Sequence, residues 1–94
     1  LAVYCSSKGA VSNLTKALAV ELAPDKIRVN AICPVIGETG MLETFMGVPD
    51  TPENRKKFEA TIPLGRFSTP NYIAQTMLFL SSDDAEFLTG VALE

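Results

Sequence analysis

A helix-patterned segment, residues 3–23, runs into a strand-patterned segment, residues 27–33, across a three-residue break. This succession restricts the fold more than any other feature of the chain. Tyr4, Lys8, Val11, Thr15, Leu18 and Leu22 recur at three- and four-residue steps, which places them on one helix face. Ala10, Ala17, Ala19 and Ala23 add strong helix formers. Pro24 and Asp25 end the segment, because proline cannot continue a helix interior. Ile27 to Cys33 is rich in β-branched residues and is stopped by Pro34. Alternation puts Ile27, Val29, Ala31 and Cys33 on one face and Arg28, Asn30 and Ile32 on the other. A helix leading within a few residues into a strand is the second half of a βαβ unit, so an α/β fold with a parallel sheet is expected.

The rest of the chain extends that reading. Residues 35–52 carry three glycines and two prolines without a clean period, which predicts a loop with one short helix over 42–46. Thr51-Pro52-Glu53 is a helix start, with a capping hydroxyl, a proline at the first position and an acid in the first turn. That helix is expected to reach about Thr61. Thr69-Pro70-Asn71 repeats the signal before Tyr72 to Leu80, whose Ile73, Met77 and Leu80 form an apolar stripe. Ser81 to Asp84 break the helix, and Thr89-Gly90 leads into a final strand over Val91 to Glu94. Two strands are too few for an independent parallel sheet. With no polar tail at Leu1 or Glu94, the expectation is a fragment cut at both ends and not a complete domain.

Composition narrows the function classes. The 94 residues carry a net charge of -3 and are 47% hydrophobic, a globular balance without the basic footprint of a nucleic-acid binder. Arg55-Lys56-Lys57 reads as the solvated face of a helix. Cys5 and Cys33 are the two cysteines and there is no histidine, so no standard zinc site can form. A disulfide between them is conceivable, but two buried free thiols in a reducing compartment fit better with a chain that otherwise shows no secretory feature. No signal peptide or membrane-length apolar run is visible, and a cytoplasmic location is expected.

Two features carry chemistry. Tyr4 and Lys8 lie four apart on one helix face, so their side chains can meet. A phenol is a poor proton-transfer catalyst at neutral pH; a neighbouring ammonium favours the phenolate and so makes the pair suited to exchange a proton with an alcohol or carbonyl oxygen. Taken alone, the spacing is also that of an ordinary surface pair. The second feature is the strand-ending Pro34, with Thr39 five residues on. Ligands of open α/β sheets bind just beyond the carboxyl ends of strands, where a loop hydroxyl and free backbone groups can hold an amide. The bland alternative is a simple strand-ending turn.

Tyr4-Cys5-Ser6-Ser7-Lys8 followed by Gly9-Ala10 resembles the Y-x-x-x-K signature of the short-chain dehydrogenases/reductases. The resemblance continues through residues 17–23 (ALAVELA), residues 27–32 (IRVNAI), Pro34 and Thr39, then residues 63–67 (PLGRF), Thr69-Pro70 and residues 87–90 (FLTG). Pro34 lies 30 residues after Tyr4, as the family pattern requires. The resemblance covers essentially the whole chain. It implies the C-terminal half of a doubly wound, Rossmann-type parallel sheet, here part of a single NAD(P)-binding domain. The implied activity is hydride transfer between NAD or NADP and a secondary alcohol or carbonyl. Tyr4 is the implied general acid or base, and Lys8 the residue that assists it and binds the nicotinamide ribose. Pro34, Ile36, Gly37 and Thr39 are the implied cofactor contacts, with Gly37 acting through its backbone and Thr39 through its hydroxyl. Residues 40–61 match the variable substrate lid, where Met41, Phe45 and Met46 are candidates to face an apolar substrate or simply to pack.

Two departures from the pattern stand out. Val35 occupies the place of the usual glycine after the proline, and Gly37 the place of the usual valine or isoleucine. The family's glycine-rich phosphate loop, ribose selector, catalytic serine and assisting asparagine would lie upstream of these residues. The resemblance also implies a homodimer or homotetramer, and apolar residues on more than one face of the first helix (Val11, Leu14, Leu18, Val20, Leu22) suit that. Two other readings compete: a catalytically inactive relative serving as an interaction protein, and an extended-type nucleotide-sugar epimerase. The intact Tyr4-Lys8 pair weighs against the first, and the closing motifs against the second.

Overall fold

The structure, a computed structural model, describes residues 1–35 and 37–94. The chain divides into two compact units, Leu1–Cys33 with Thr76–Glu94, and Pro34–Gln75.

In the first unit, helix α1 spans Ala2–Leu22. Its buried residues are Thr15 and Ala19, flanked by half-buried Ser12, Leu18 and Leu22. Val11, which the spacing places on the same face as Thr15, is exposed. Burial follows the small side chains because the chain approaches there: a β-carbon on Gly90 would lie 3.5 Å from that of Ala19. The Thr15 hydroxyl donates to the Val11 carbonyl at 2.8 Å, so its burial leaves no orphaned donor. Pro24 does not simply stop the chain. It sits in a 3-10 turn over Ala23–Asp25, where its missing N–H costs little, and Lys26 closes the turn at φ 59°.

Strand β1 is shorter than the sequence suggests, Ala31–Ile32 instead of residues 27–33. It pairs in parallel with β2, Ala92–Leu93, with Ala31 opposite Ala92 and Ile32 opposite Leu93. Side chains explain the shortening. The Val29 N–H donates to the Thr89 hydroxyl (3.1 Å), and the Asn30 carboxamide donates to Leu88 O (2.8 Å) and accepts from the Val91 N–H (3.1 Å). Arg28 donates to the carbonyls of Leu80 (2.8 Å), Leu88 (3.1 Å) and Ser82 (3.3 Å). Its guanidinium thus satisfies carbonyls at the C-terminal end of helix α4, Pro70–Ser81, where the helix dipole also favours a cation. In α4 Leu80 is buried, but Met77 of the expected stripe is exposed. Both cysteines are free, and Cys5 is exposed on α1, contrary to the expectation of two buried thiols.

The second unit holds helices α2, Leu42–Met46, and α3, Pro52–Glu59. The Thr51 hydroxyl caps α3 by accepting from the Asn54 N–H at 3.2 Å, as the sequence predicts. Gly47, at φ 71°, ends α2. Leu42, Met46 and Phe67 form the buried cluster, with Phe58 and Ile62 packed against it.

Candidate functional site

In the first unit, one candidate group stands on the opening turns of α1. Helix α1, Ala2–Leu22, brings Tyr4 and Lys8 onto one face. The Lys8 ammonium lies over the Tyr4 ring, 5.5 Å from its centre, a cation–π geometry. Tyr4 is 40% exposed. The Ser7 hydroxyl turns back to donate to the Tyr4 carbonyl at 2.7 Å. No acidic residue lies in the first turn of α1 to compete for the ammonium. The arrangement provides one proton donor and acceptor beside one fixed cation.

A separate candidate group is the loop that opens the second unit. Pro34 is exposed, and Ile36 lies outside the described residues. Gly37 forms an isolated parallel bridge with Ser68, and the Glu38 N–H donates to the Ser68 carbonyl at 3.0 Å. The Thr39 N–H donates to the Gly37 carbonyl at 2.9 Å, and the Thr39 hydroxyl accepts from the Met41 N–H at 3.2 Å. These bonds leave the hydroxyl with its hydrogen to donate and the carbonyl with a second lone pair. A carboxamide needs one donor and one acceptor in return, so the loop's chemistry fits the amide of a nicotinamide.

Beyond the loop, Met41 and Phe45 are exposed. Met46 belongs to the buried cluster with Leu42 and Phe67, the packing alternative of the two that the sequence left open. Arg55 clasps Asp50 through Nε and Nη2 (2.8 Å from Nη2 to Oδ2) and reaches Glu38 at 3.2 Å. The hydrogen bonds from Arg55 hold the Asp50 carboxyl below the usual carboxylate range, and Asp50 in turn pushes the guanidinium further up. Sequence reasoning missed Arg55, which read as part of a solvated basic run, and Ser68, which it did not single out. The closest signal for Ser68 was the departure from pattern at its partner, Gly37. Among the described residues no group of three or more His, Cys, Asp or Glu could hold a metal ion.

The comparisons with known proteins bear on this geometry. A family model described as "Enoyl-(Acyl carrier protein) reductase" matches residues 1–94. The chain is 55% identical over 91 residues to the 4-formylbenzenesulfonate dehydrogenase TsaC1/TsaC2 of Comamonas testosteroni, covering 97% of the chain and 36% of that protein. Among solved structures, it superposes with a TM-score of 0.85 on the 3-ketoacyl-(acyl-carrier-protein) reductase of Brucella melitensis complexed with NADH, at 50% identity, covering 99% of the chain and 35% of that protein. It also matches an actinorhodin polyketide ketoreductase variant with NADPH, at a TM-score of 0.88 and 35% identity, covering 98% of the chain and 38% of that protein. The chain thus spans little more than a third of each of these relatives. The match nevertheless takes in the helix with the tyrosine and lysine, the loop after the proline and the closing strand together, and on it the chain belongs to the short-chain dehydrogenase/reductase family.

Proposed function

We propose that these residues are the catalytic and closing part of an oxidoreductase that moves hydride between NAD or NADP and a secondary alcohol or carbonyl. The observation that carries this reading is the Lys8 ammonium over an exposed Tyr4 on one helix. A bound nicotinamide supplies the hydride in reduction and accepts it in oxidation. Tyr4 gives its hydroxyl proton to the carbonyl oxygen as the carbon receives hydride, and takes the proton back when an alcohol is oxidised. Lys8 places positive charge beside the phenol and holds the ribose. The Gly37 carbonyl and Thr39 hydroxyl hold the carboxamide and fix the ring for transfer. Met41 and Phe45 offer apolar contacts to the substrate.

The two-stranded sheet and the limited coverage of relatives support placing residues 1–94 within one longer Rossmann-type domain. The names of relatives, one a ketoacyl reductase and one a dehydrogenase of an aromatic aldehyde, support a small-molecule alcohol or carbonyl as substrate. Exposed Val11, Leu14 and Val20 on α1 support a homodimer or homotetramer. The net charge of -3 gives no attraction for nucleic acid. No helix among the described residues is long and apolar enough to cross a membrane, and the cytoplasm is the proposed location. The test is Tyr4→Phe in the complete enzyme. It keeps the ring and removes the proton, so turnover is expected to fall about 100-fold or more. Near-parental turnover on a good substrate would overturn the assignment.

A further inference from the structure

Gly37 stands where the family pattern carries a branched residue, and the structure gives a reason across the bridge. A β-carbon built on Gly37 would lie 2.8 Å from the Ser68 hydroxyl oxygen and 3.2 Å from the Ser68 carbonyl oxygen. The backbone itself does not demand glycine there: the left-handed glycines are Gly47, Gly65 and Gly90. A side chain at 37 would instead press on the Ser68 hydroxyl, which would have to move, and crowd the Ser68 carbonyl by a few tenths of an ångström. Ser68 is held on both sides in sequence. Phe67 before it is buried in the cluster with Leu42 and Met46, and Thr69 after it caps α4 by accepting from the Tyr72 N–H at 3.4 Å. The closing segment is therefore the fixed partner, and the loop from Gly37 to Thr39 takes its position from it.

We propose that Ser68 is a positioning residue for the loop that holds the nicotinamide carboxamide. Its side chain fills the space that a branched residue at 37 would take. Its carbonyl fixes the Glu38 N–H, which keeps the Gly37 carbonyl and the Thr39 hydroxyl at the spacing an amide needs. Residues 37 and 68 therefore exchange bulk as a pair. This assignment rests on the reading of the loop given under the proposed function. Ser68 takes no part in proton transfer, so its signature lies in the KM for the dinucleotide more than in kcat.

The experiment compares Gly37→Val, Ser68→Gly, the double variant and Thr39→Val in the complete enzyme, reading dinucleotide KM, kcat and melting temperature. Gly37→Ala replaces Gly37→Val, alone and in the double variant, if valine prevents folding. Side chains in contact couple strongly enough that Gly37→Val should raise KM by about tenfold, while the double variant returns it to within about threefold of the parent. An unchanged KM in Gly37→Val overturns the proposal. So does a double variant that recovers the melting temperature without recovering KM, since that outcome describes packing only. Thr39→Val separates the two readings. A raised KM there, with no rescue in the double variant, overturns the role of Ser68 alone; an unchanged KM there overturns the carboxamide reading and the role of Ser68 with it.

Discussion

The Lys8 ammonium lies 5.5 Å from the centre of the Tyr4 ring, one helical turn further along α1. The helix fixes this relationship, so the cation need not be recruited when substrate arrives. Replacing Lys8 with methionine keeps a long unbranched stem with good helix propensity and removes only the charge and its donors. In the complete enzyme, Lys8→Met is expected to lower turnover about 100-fold, comparable to the loss of a general acid–base partner, with little change in melting temperature. Steady-state kinetics beside a thermal melt check this. A variant that loses stability and activity together would make Lys8 a structural residue.

Arg28 bonds three backbone carbonyls at once. One guanidinium satisfies the carbonyls of Leu80, Ser82 and Leu88, and so ties the end of α4 to the segment that leads into β2. Removing it takes this donor from the part-buried carbonyls of Leu80 and Ser82, while Leu88 keeps its bond from Asn30. Arg28→Met is expected to cost about 2 kcal/mol, the scale of hydrogen bonds to a charged group. Arg28→Lys should recover only part of that loss, because an ammonium cannot reproduce the planar fork. Denaturant unfolding of the complete enzyme reads both values. Equal stability in all three forms would show that the carbonyls find other donors.

The Asp50 carboxyl is held below its usual range by the Arg55 hydrogen bonds. A depressed folded-state pKa means that the pair contributes at pH values above the unfolded carboxylate value of about 3.9 and stops contributing as pH falls through the lower folded value. Asp50→Asn should therefore melt slightly below the parent at pH 7 and converge with it as acidification carries the pH through the depressed folded value. Salt should narrow the gap at pH 7, since the pair is solvent-accessible. A gap that persists unchanged in strong acid would assign the effect to packing and not to charge.

Much of this architecture was legible because its signals are local. The capping hydroxyl of Thr51, the short helix from Leu42 to Met46 and the four-residue spacing of Tyr4 and Lys8 all depend on neighbours within a turn or two. The length of β1 was not legible. It is cut short by the Thr89 hydroxyl and by Asn30 bonding backbone some 60 residues away, and no window around residue 30 contains that information. The exposed Val11 has a similar cause, because which face of α1 is buried depends on where Gly90 approaches Ala19. Within the site, Gly37 was visible as a departure from the family pattern, but its partner Ser68 became visible only through the bridge between them.

The last prediction concerns residues 1–94 on their own: they should neither turn over substrate nor bind a dinucleotide tightly. The apolar residues of α1 give the first reason. Val3 and Val20 are 85 and 76% exposed, and Val11 and Leu14 are also exposed, apolar surface of the kind that favours association over a stable lone fold. The sheet gives the second. Among the described residues it has two strands of two residues each, and each strand has one edge without a partner in the pair. The third reason is the ligand. The six glycines of the chain, at 9, 37, 40, 47, 65 and 90, include no G-x-G turn at a helix start, so these residues offer no cradle for a pyrophosphate. Only the carboxamide and ribose contacts remain, and they hold one end of a long molecule. Circular dichroism should show a broad, weakly cooperative melt, and fluorescence titration with NADH and NADPH should show no saturation at micromolar concentration. A sharp melt together with micromolar affinity would mean that the 94 residues carry a complete binding site.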